Sequence, residues 1–299
     1  MRSGAHRIRW LIITSRSVHT LVPTSSARLL PAAGVVLLLA LSGCSVTAAG
    51  ALPRGIVVTG ASLDSGSLSG GDEIVLTGAH LDEVSGVDFG SDAAESVTLD
   101  GDSLVVVTPA STDFDAKTVP ISVHWEGDSG APTGLEFSYR VVTPLDAQMN
   151  YLLAHWDSPN ALTFGRLNGT DCVNFTSQAL LARGWTMTSE WWHSQSSGVN
   201  QYGRPWISST AFMRYLEDHP ELAVPVDAAD VAVGDIAQFD YEGTGIGDAA
   251  KRNHTGTVSK VLGDEVFVVQ HNKDSDYEPV ADMLAAHGPQ ATVFYWRAL

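Results

Sequence analysis

Cys172 is the residue of this sequence best placed to act as a nucleophile. Asp171 before it is a common helix N-cap residue, and Gly184 is a typical helix stop, so the sequence predicts a helix that begins at Cys172. The positive end of a helix dipole lowers the pKa of a thiol, and the thiolate is the reactive form. The backbone N–H groups of the same helix end are suited to stabilising a developing oxyanion.

A cysteine nucleophile needs an imidazole to take and return its proton, and a third group to hold that imidazole. His254 begins a predicted strand, and His271 and Asn272 stand at the end of the next one. The start of one strand and the end of the following strand meet at one edge of an antiparallel sheet. We therefore expect a polar cluster there, close to the start of the helix that carries Cys172.

The segment 171–178 reads Asp-Cys-Val-Asn-Phe-Thr-Ser-Gln. It resembles the Asp-Cys-Thr-Asn-Phe-Val-Ser-Gln motif of the bacterial putative amidase domain family, within the papain-like NlpC/P60 and CHAP group. Val173 and Thr176 depart from the motif at positions outside the expected chemistry. The resemblance runs from about Ala147 to the C-terminal strand, and it implies a Cys-His hydrolase of amide bonds, often those of cell-wall peptidoglycan.

By this resemblance, Cys172 would be the nucleophile and His254 the general base and acid. The orienting group would be His271 or Asn272, and a one-residue error in strand register exchanges these two. We assign Asp171 to helix capping, because a carboxylate beside a thiolate opposes its ionisation.

Four further residues are candidates for contacts with substrate. Asn168 is a guess for the side chain of an oxyanion hole, and Asn174 would lie one turn into the helix, where a structural role is equally plausible for its amide. Trp191 and Trp192 belong to a Trp-rich stretch. Their faces are suited to stacking on sugar rings, although packing in the core is the more common role of such residues and the one we favour.

The chain divides into a β-rich part and a mixed part. Residues 55–143 repeat short β-branched runs between Gly, Asp, Ser and Pro, which predicts an immunoglobulin-like sandwich. The order of its short motifs resembles the IPT/TIG domain, usually a spacer or interaction module, and a rigid spacer is the favoured interpretation. Residues 145–299 predict an α+β domain, papain-like by the resemblance above. Its expected helices are 145–157, one around Cys172 and 209–219; its expected strands are 235–240, 254–262, 265–271 and 292–297.

Residues 1–43 have the features of a bacterial lipoprotein signal. They contain five Arg and no Asp or Glu, and an apolar run too short to span a membrane precedes Leu41-Ser42-Gly43-Cys44. This ending resembles a lipobox, so we expect Cys44 to be lipidated and residues 44–54 to form a tether. The expected location is the extracytoplasmic face of the cell membrane.

The charge of −17 excludes nucleic acid as a main partner, because binding to it needs clustered Lys and Arg. Without residues 1–43 the chain carries 12 basic and 34 acidic side chains, a net charge of −22. We expect a monomer without cofactor, metal or disulfide, acting on peptidoglycan or another amide-containing peptide. Two alternatives remain open: a non-catalytic envelope-binding lipoprotein, and acyl transfer through the same thioester.

Overall fold

The first half of the chain is mostly β. The computed structural model describes residues 55–126 and 130–299. One sheet has four strands in the order β1-β3-β7-β6, and the other has five in the order β2-β9-β8-β4-β5. The strands are β1 (Val57–Ala61), β2 (Ser65–Ser67), β3 (Glu73–Ala79), β4 (Val84–Phe89), β5 (Asp92–Ala93), β6 (Ser96–Asp100), β7 (Ser103–Val107), β8 (Thr118–Trp125) and β9 (Ala131–Arg140).

Alternate residues of these strands form the core between the two sheets. Ile74 and Leu76 on β3 are fully buried, as expected where every second side chain faces inward. The rings of Phe89 and Phe137 meet edge to face with their centroids 5.3 Å apart. This architecture fits the immunoglobulin-like sandwich expected from the sequence.

The second half contains both helices and sheets. Its six-stranded antiparallel sheet has the order β12-β17-β13-β14-β15-β16, and β10 and β11 form a separate hairpin. The helices are α1 (Pro144–His155), α2 (Ala161–Phe164), α3 (Cys172–Arg183), α4 (Arg204–Ile207), α5 (Ser209–Asp218) and α6 (Val280–His287). The strands are β10 (His193–Ser196), β11 (Val199–Tyr202), β12 (Ala223–Val226), β13 (Ile236–Asp240), β14 (His254–Leu262), β15 (Glu265–Gln270), β16 (Ser275–Pro279) and β17 (Thr292–Ala298).

The expected long elements are present, with ends that shift by a residue or two. The hairpin β10–β11, strands β12 and β16 and the short helix α6 were not expected. Strand β16 has the sequence Ser-Asp-Tyr-Glu-Pro, whose polar residues and terminal proline give little strand signal. The strand is stabilised by its antiparallel pairing with β15, at the edge of the sheet.

The two halves are joined by the capping carboxylate of helix α1. Thr143 Oγ1 accepts from the Asp146 amide at 3.0 Å, and Asp146 Oδ2 accepts from the Thr143 amide at 2.9 Å, which forms a capping box. The same carboxylate also accepts from Ser67 Oγ at 2.8 Å and from the Ser69 amide at 2.8 Å. Asp146 is fully buried, so the sandwich helps to satisfy the charge that starts α1.

Apolar contacts continue the connection. Met149 and Leu152 of α1 belong to the same buried cluster as the sandwich core, and so does Phe175 of α3. Asn150 Nδ2 also donates to Phe114 O of the sandwich at 2.9 Å. The helix that packs against α3 is therefore anchored in the sandwich.

The expected signal 1–43, Cys44 and the tether 44–54 lie outside the described residues. In the described part of the chain, no helix combines the length and the apolar character that crossing a bilayer requires. The expectations for lipidation and location stay predictions.

Because the Asp146 carboxylate is stabilised by hydrogen bonds, part of the free energy of unfolding should depend on pH in the acid range. Burial raises its pKa, but hydrogen bonds from the Thr143 and Val142 amides and from Ser67 and Ser69 outweigh burial and lower the pKa. A carboxyl whose pKa is lower in the folded state stabilises above its unfolded pKa of about 3.9, and the contribution is lost as pH falls through the folded pKa. Asp146→Asn should cost about 1–3 kcal/mol at pH 7, and this difference should shrink on acidification.

Denaturant unfolding between pH 7 and pH 3 measures this effect. Asp82→Asn, at an exposed acidic residue of the sandwich, is the matched control and should unfold like the wild type. A cost for Asp146→Asn that stays constant across this pH range would contradict the assignment.

Candidate active site

Cys172 is the first residue of helix α3, and its side chain is buried. The residue is 5% exposed, and α3 ends at Arg183, followed by Gly184, whose φ of 112° suits glycine. Asp171 stands at the N-cap position of α3, but its side chain accepts no hydrogen bond from a backbone N–H of the helix. The side-chain capping expected of Asp171 is therefore absent, although Asp171 does precede the first residue of the helix.

Burial and three neighbouring residues set the ionisation of the Cys172 thiol. Burial raises its pKa, but a hydrogen bond from His254, the charge of that imidazole, the Ser209 hydroxyl and the Thr255 backbone N–H lower it. The net effect is a lowered pKa. The balance favours the thiolate in a place where burial alone would oppose it.

Ser209 was not expected from the sequence. Its Oγ lies 3.7 Å from Cys172 Sγ and accepts from Thr255 Oγ1 at 3.0 Å. Because Thr255 supplies the proton for that bond, the Ser209 proton is free to point at the sulfur. The Ser209 carbonyl in turn accepts from Gln238 Nε2 at 3.1 Å, which holds the start of α5.

The far side of the His254 ring is bonded to Gln270. His254 Nε2 forms a short hydrogen bond to Gln270 Oε1, and both residues are buried. Thr257 of β14 pairs with Val269 of β15, so the alternation places Gln270 on the face of the sheet that His254 occupies. The adjacent His271 then faces the other side.

His271 and Asn272 instead hold the start of α3, which corrects their expected role as orienting groups. His271 Nδ1 bonds to Asp171 Oδ2 at 2.7 Å and Nε2 to His155 O at 3.0 Å, while its ring stacks on Phe175 at 3.7 Å. Asn272 Oδ1 accepts from the Asp171 amide at 2.7 Å. Both residues act on the position of Cys172 without contacting His254.

The Asp171 carboxylate is the hydrogen-bond acceptor that connects these segments. Its Oδ1 accepts from the Leu167 amide and from Asn174 Nδ2, both at 2.8 Å, while Oδ2 takes His271. The carboxylate therefore ties the loop before α3, the first turn of α3 and the end of β15 together.

The four candidate substrate residues have different positions. Asn174 is fully buried, and its Oδ1 accepts from Trp206 Nε1 at 2.9 Å. Trp191 is also fully buried, with Nε1 donating to Ser177 Oγ at 3.0 Å. Because both side chains are fully buried and hydrogen-bonded inside the domain, the structure does not place either of them as a contact for substrate. Asn168 is exposed and Trp192 is partly exposed, so both side chains can be reached from the surface of the protein.

Residues 145–296 match the family described as "Putative amidase domain". The chain belongs to this family. Residues 57–139 match the IPT/TIG domain family, so the sandwich precedes the amidase domain as the sequence indicated.

Other comparisons add little to the amidase assignment. No curated protein matches the chain. Two plexin A4 extracellular-region structures are 18% and 17% identical, cover 28% and 29% of this chain but only 8% and 7% of theirs, and give TM-scores of 0.24 and 0.25. The SGBP-B protein of Bacteroides ovatus, in complex with a mixed-linkage heptasaccharide, is 11% identical over 80% of this chain and 49% of its own, with a TM-score of 0.20. Such scores support no argument about fold or function.

The amidase domain has a cavity beside the His254–Gln270 pair. Its volume is about 360 Å³, and Tyr241, Met283 and His287 also line it. The Tyr241 and His287 rings are stacked with their centroids 3.5 Å apart. This cavity gives access to the side of the imidazole that is bonded to Gln270.

The contacts of Cys172 in the amidase domain predict its reactivity. Alkylation by iodoacetamide should have a pH midpoint below the value of about 8.5 for an ordinary thiol. His254→Ala removes the hydrogen bond and the charge, and should raise the midpoint most. Ser209→Ala removes one donor and should raise it less.

Mass spectrometry of the alkylated protein across pH measures these midpoints. Ser194→Ala, at an exposed serine of hairpin strand β10, should leave the midpoint unchanged. Midpoints that are equal in the wild type, His254→Ala and Ser209→Ala would contradict the described electrostatics.

Proposed function

We propose that this protein is a cysteine-dependent amide hydrolase in which Cys172 is the nucleophile and His254 the general base and acid. The observation that supports this most is the buried His254–Gln270 hydrogen bond beside the Cys172 thiol, whose pKa His254 lowers. This is the arrangement that a nucleophile, a base and an orienting group require. Gln270 takes the orienting role.

The proposed reaction has two stages. The Cys172 thiolate attacks the amide carbonyl carbon, and the backbone N–H groups of the first turn of α3 stabilise the oxyanion. His254, now protonated, gives its proton to the leaving amine as the C–N bond breaks, which leaves a thioester on Cys172. Water then gives a proton to His254, attacks the thioester and releases the acid and the thiol.

A papain-like fold of the NlpC/P60 and CHAP type is part of the proposal. It is supported by the order of the elements, in which a helix that begins with the nucleophilic cysteine precedes an antiparallel sheet carrying the histidine. The resemblance of residues 171–178 to the family motif gives further support.

We place this activity at the outer face of the cell membrane, with peptidoglycan peptides as the substrate class. The support comes from the signal-like residues 1–43, the lipobox-like ending at Cys44 and the family resemblance. The remaining chain has a net charge of −22, which disfavours adhesion to an anionic wall. Lipidation of Cys44 would supply the local concentration instead, and the protein would act as a monomer without cofactor.

Product analysis on a muramidase digest of peptidoglycan tests the proposal. The wild type should convert individual peptides into two products whose summed mass exceeds the parent by one water. Cys172→Ala should abolish this conversion while retaining the wild-type circular dichroism spectrum. Ser194→Ala should cleave like the wild type.

Two results would contradict the proposal. Unchanged cleavage by Cys172→Ala would exclude the nucleophile. Products that carry a new amine instead of water would replace hydrolysis by acyl transfer.

The choice of Gln270 as the orienting group makes a separate prediction. Gln270→Ala should slow cleavage of the same digest about tenfold or more, because each 1.4 kcal/mol of lost transition-state stabilisation is a factor of ten. Asn272→Ala removes only a hydrogen bond at the start of α3 and should slow cleavage less. Initial rates at equal protein concentration decide the order, and a larger loss for Asn272→Ala would restore it as the orienting group.

A further inference from the structure

Glu278 is a buried carboxylate that the proposed reaction does not use. It lies on strand β16 and is 8% exposed. A buried charge is costly unless hydrogen bonds and an opposite charge compensate it. Glu278 has both: Oε2 accepts from Gln270 Nε2, and Oε1 accepts from Lys273 Nζ, each in a short contact.

The position of Glu278 depends on a bulge between β15 and β16. Val268 pairs with Glu278, but Gln270 pairs with Ser275, so the β16 side carries one residue more than the β15 side. Bulges of this kind re-aim side chains next to active sites. Val268 and Gln270 share a face of the strand, and the Glu278 side chain reaches Gln270 on that face.

The Glu278 carboxylate removes an ambiguity of the Gln270 amide. A glutamine side chain presents an acceptor oxygen on one side and a donor NH₂ on the other, and rotation by half a turn exchanges them. An ionised carboxylate only accepts hydrogen bonds. The NH₂ of Gln270 must therefore face Glu278, which turns its oxygen toward His254.

The orientation of that oxygen decides which nitrogen of His254 carries the proton. An oxygen at His254 Nε2 requires Nε2 to donate, so in the neutral ring Nδ1 has no proton and is free to accept one from Cys172. The reversed amide would present NH₂ to Nε2 and favour the opposite tautomer, with Nδ1 protonated. That tautomer has no lone pair to offer the thiol.

We infer that Glu278 is a positioning residue that selects the base-competent tautomer of His254 through the amide of Gln270. The inference rests on the proposed function, since the tautomer matters for Cys172 as the nucleophile. Lys273 balances the Glu278 charge from the solvent side, where its side chain is 79% exposed. Because the Lys273 end of this ion pair is exposed, the pair contributes little stability by itself, and the contact of Glu278 with Gln270 is the one that matters for His254.

Nitrogen-15 NMR of the histidine rings in the full-length protein tests this inference without any substrate. In the wild type, at a pH high enough for the His254 ring to be neutral, its signal should be that of the Nε2-protonated tautomer. Glu278→Met keeps the length of the side chain but removes the acceptor. It should give a mixture of tautomers, and the pH midpoint of Cys172 alkylation by iodoacetamide should rise.

A matched control and a double-mutant cycle separate positioning from a general effect of charge or stability. Asp276→Met removes a carboxylate from the same strand outside this row of hydrogen bonds, and should leave the tautomer and the midpoint unchanged. In a Gln270→Ala background, Glu278→Met should have no additional effect on either readout, because the connecting amide is missing.

An exchange variant keeps the test decisive if Glu278→Met fails to fold. Gln270→Glu combined with Glu278→Gln puts a carboxylate acceptor at His254, and the new amide at position 278 can donate to it and still accept from Lys273. This variant should retain the Nε2-protonated tautomer and the low alkylation midpoint.

The inference is overturned if Glu278→Met keeps both the tautomer and the midpoint of the wild type, or if Asp276→Met changes them equally. Loss of the Nε2-protonated tautomer in the exchange variant would overturn it too. Because neither readout needs catalysis, failure here differs from failure of the proposed function, which the cleavage of peptides by Cys172→Ala decides.

Discussion

Ionisation of the buried Cys172 thiol is the constraint on which the rest of the site depends. At 5% exposure the sulfur has lost most contact with water, and burial by itself favours the neutral thiol. A thiolate in this place needs donors from the protein, and two separate elements supply them: β14 contributes His254 and the Thr255 amide, and α5 contributes Ser209. The fold of the second half can be understood as the means of bringing these elements to one helix start.

A second group of contacts fixes where that helix start lies. The Asp171 carboxylate joins the loop before α3 to the end of β15 through the Leu167 amide and His271. The two ring nitrogens of His271 contact Asp171 Oδ2 and the His155 carbonyl, which fixes the orientation of the ring. The last residue of β15 and the residue after it thus serve different parts of the site: Gln270 contacts His254, and His271 contacts the start of α3.

The sequence predicted the larger elements well, because their signals are local. Helix α3 has its start and stop residues in place, and β14 has a long β-branched run. The mostly β first half and the mixed second half are confirmed at that level. Strand β16 was missed because a polar strand at a sheet edge gains its stability from pairing with β15, which no local pattern records.

The orienting residue was missed for a related reason. His271 is a more familiar catalytic residue type than Gln270, but one step along a strand reverses the face. Only the register of β14 against β15, with Thr257 opposite Val269, decides that Gln270 faces His254. Ser209 was missed because it approaches Cys172 from a different helix, and nothing in the spacing of residues 172 and 209 indicates their contact.

Asp146 has a consequence for the modular nature of the chain. Sandwiches of this type are often regarded as exchangeable units, but here the carboxylate that begins α1 receives donors from Ser67 and Ser69 of the sandwich. Without Ser67 and Ser69, the Asp146 carboxylate at the start of α1 would keep only the Val142 and Thr143 amides as hydrogen-bond donors. The boundary between the two sequence families is thus crossed by buried contacts, because the sandwich supplies hydrogen-bond donors and apolar surface to the interior of its neighbour.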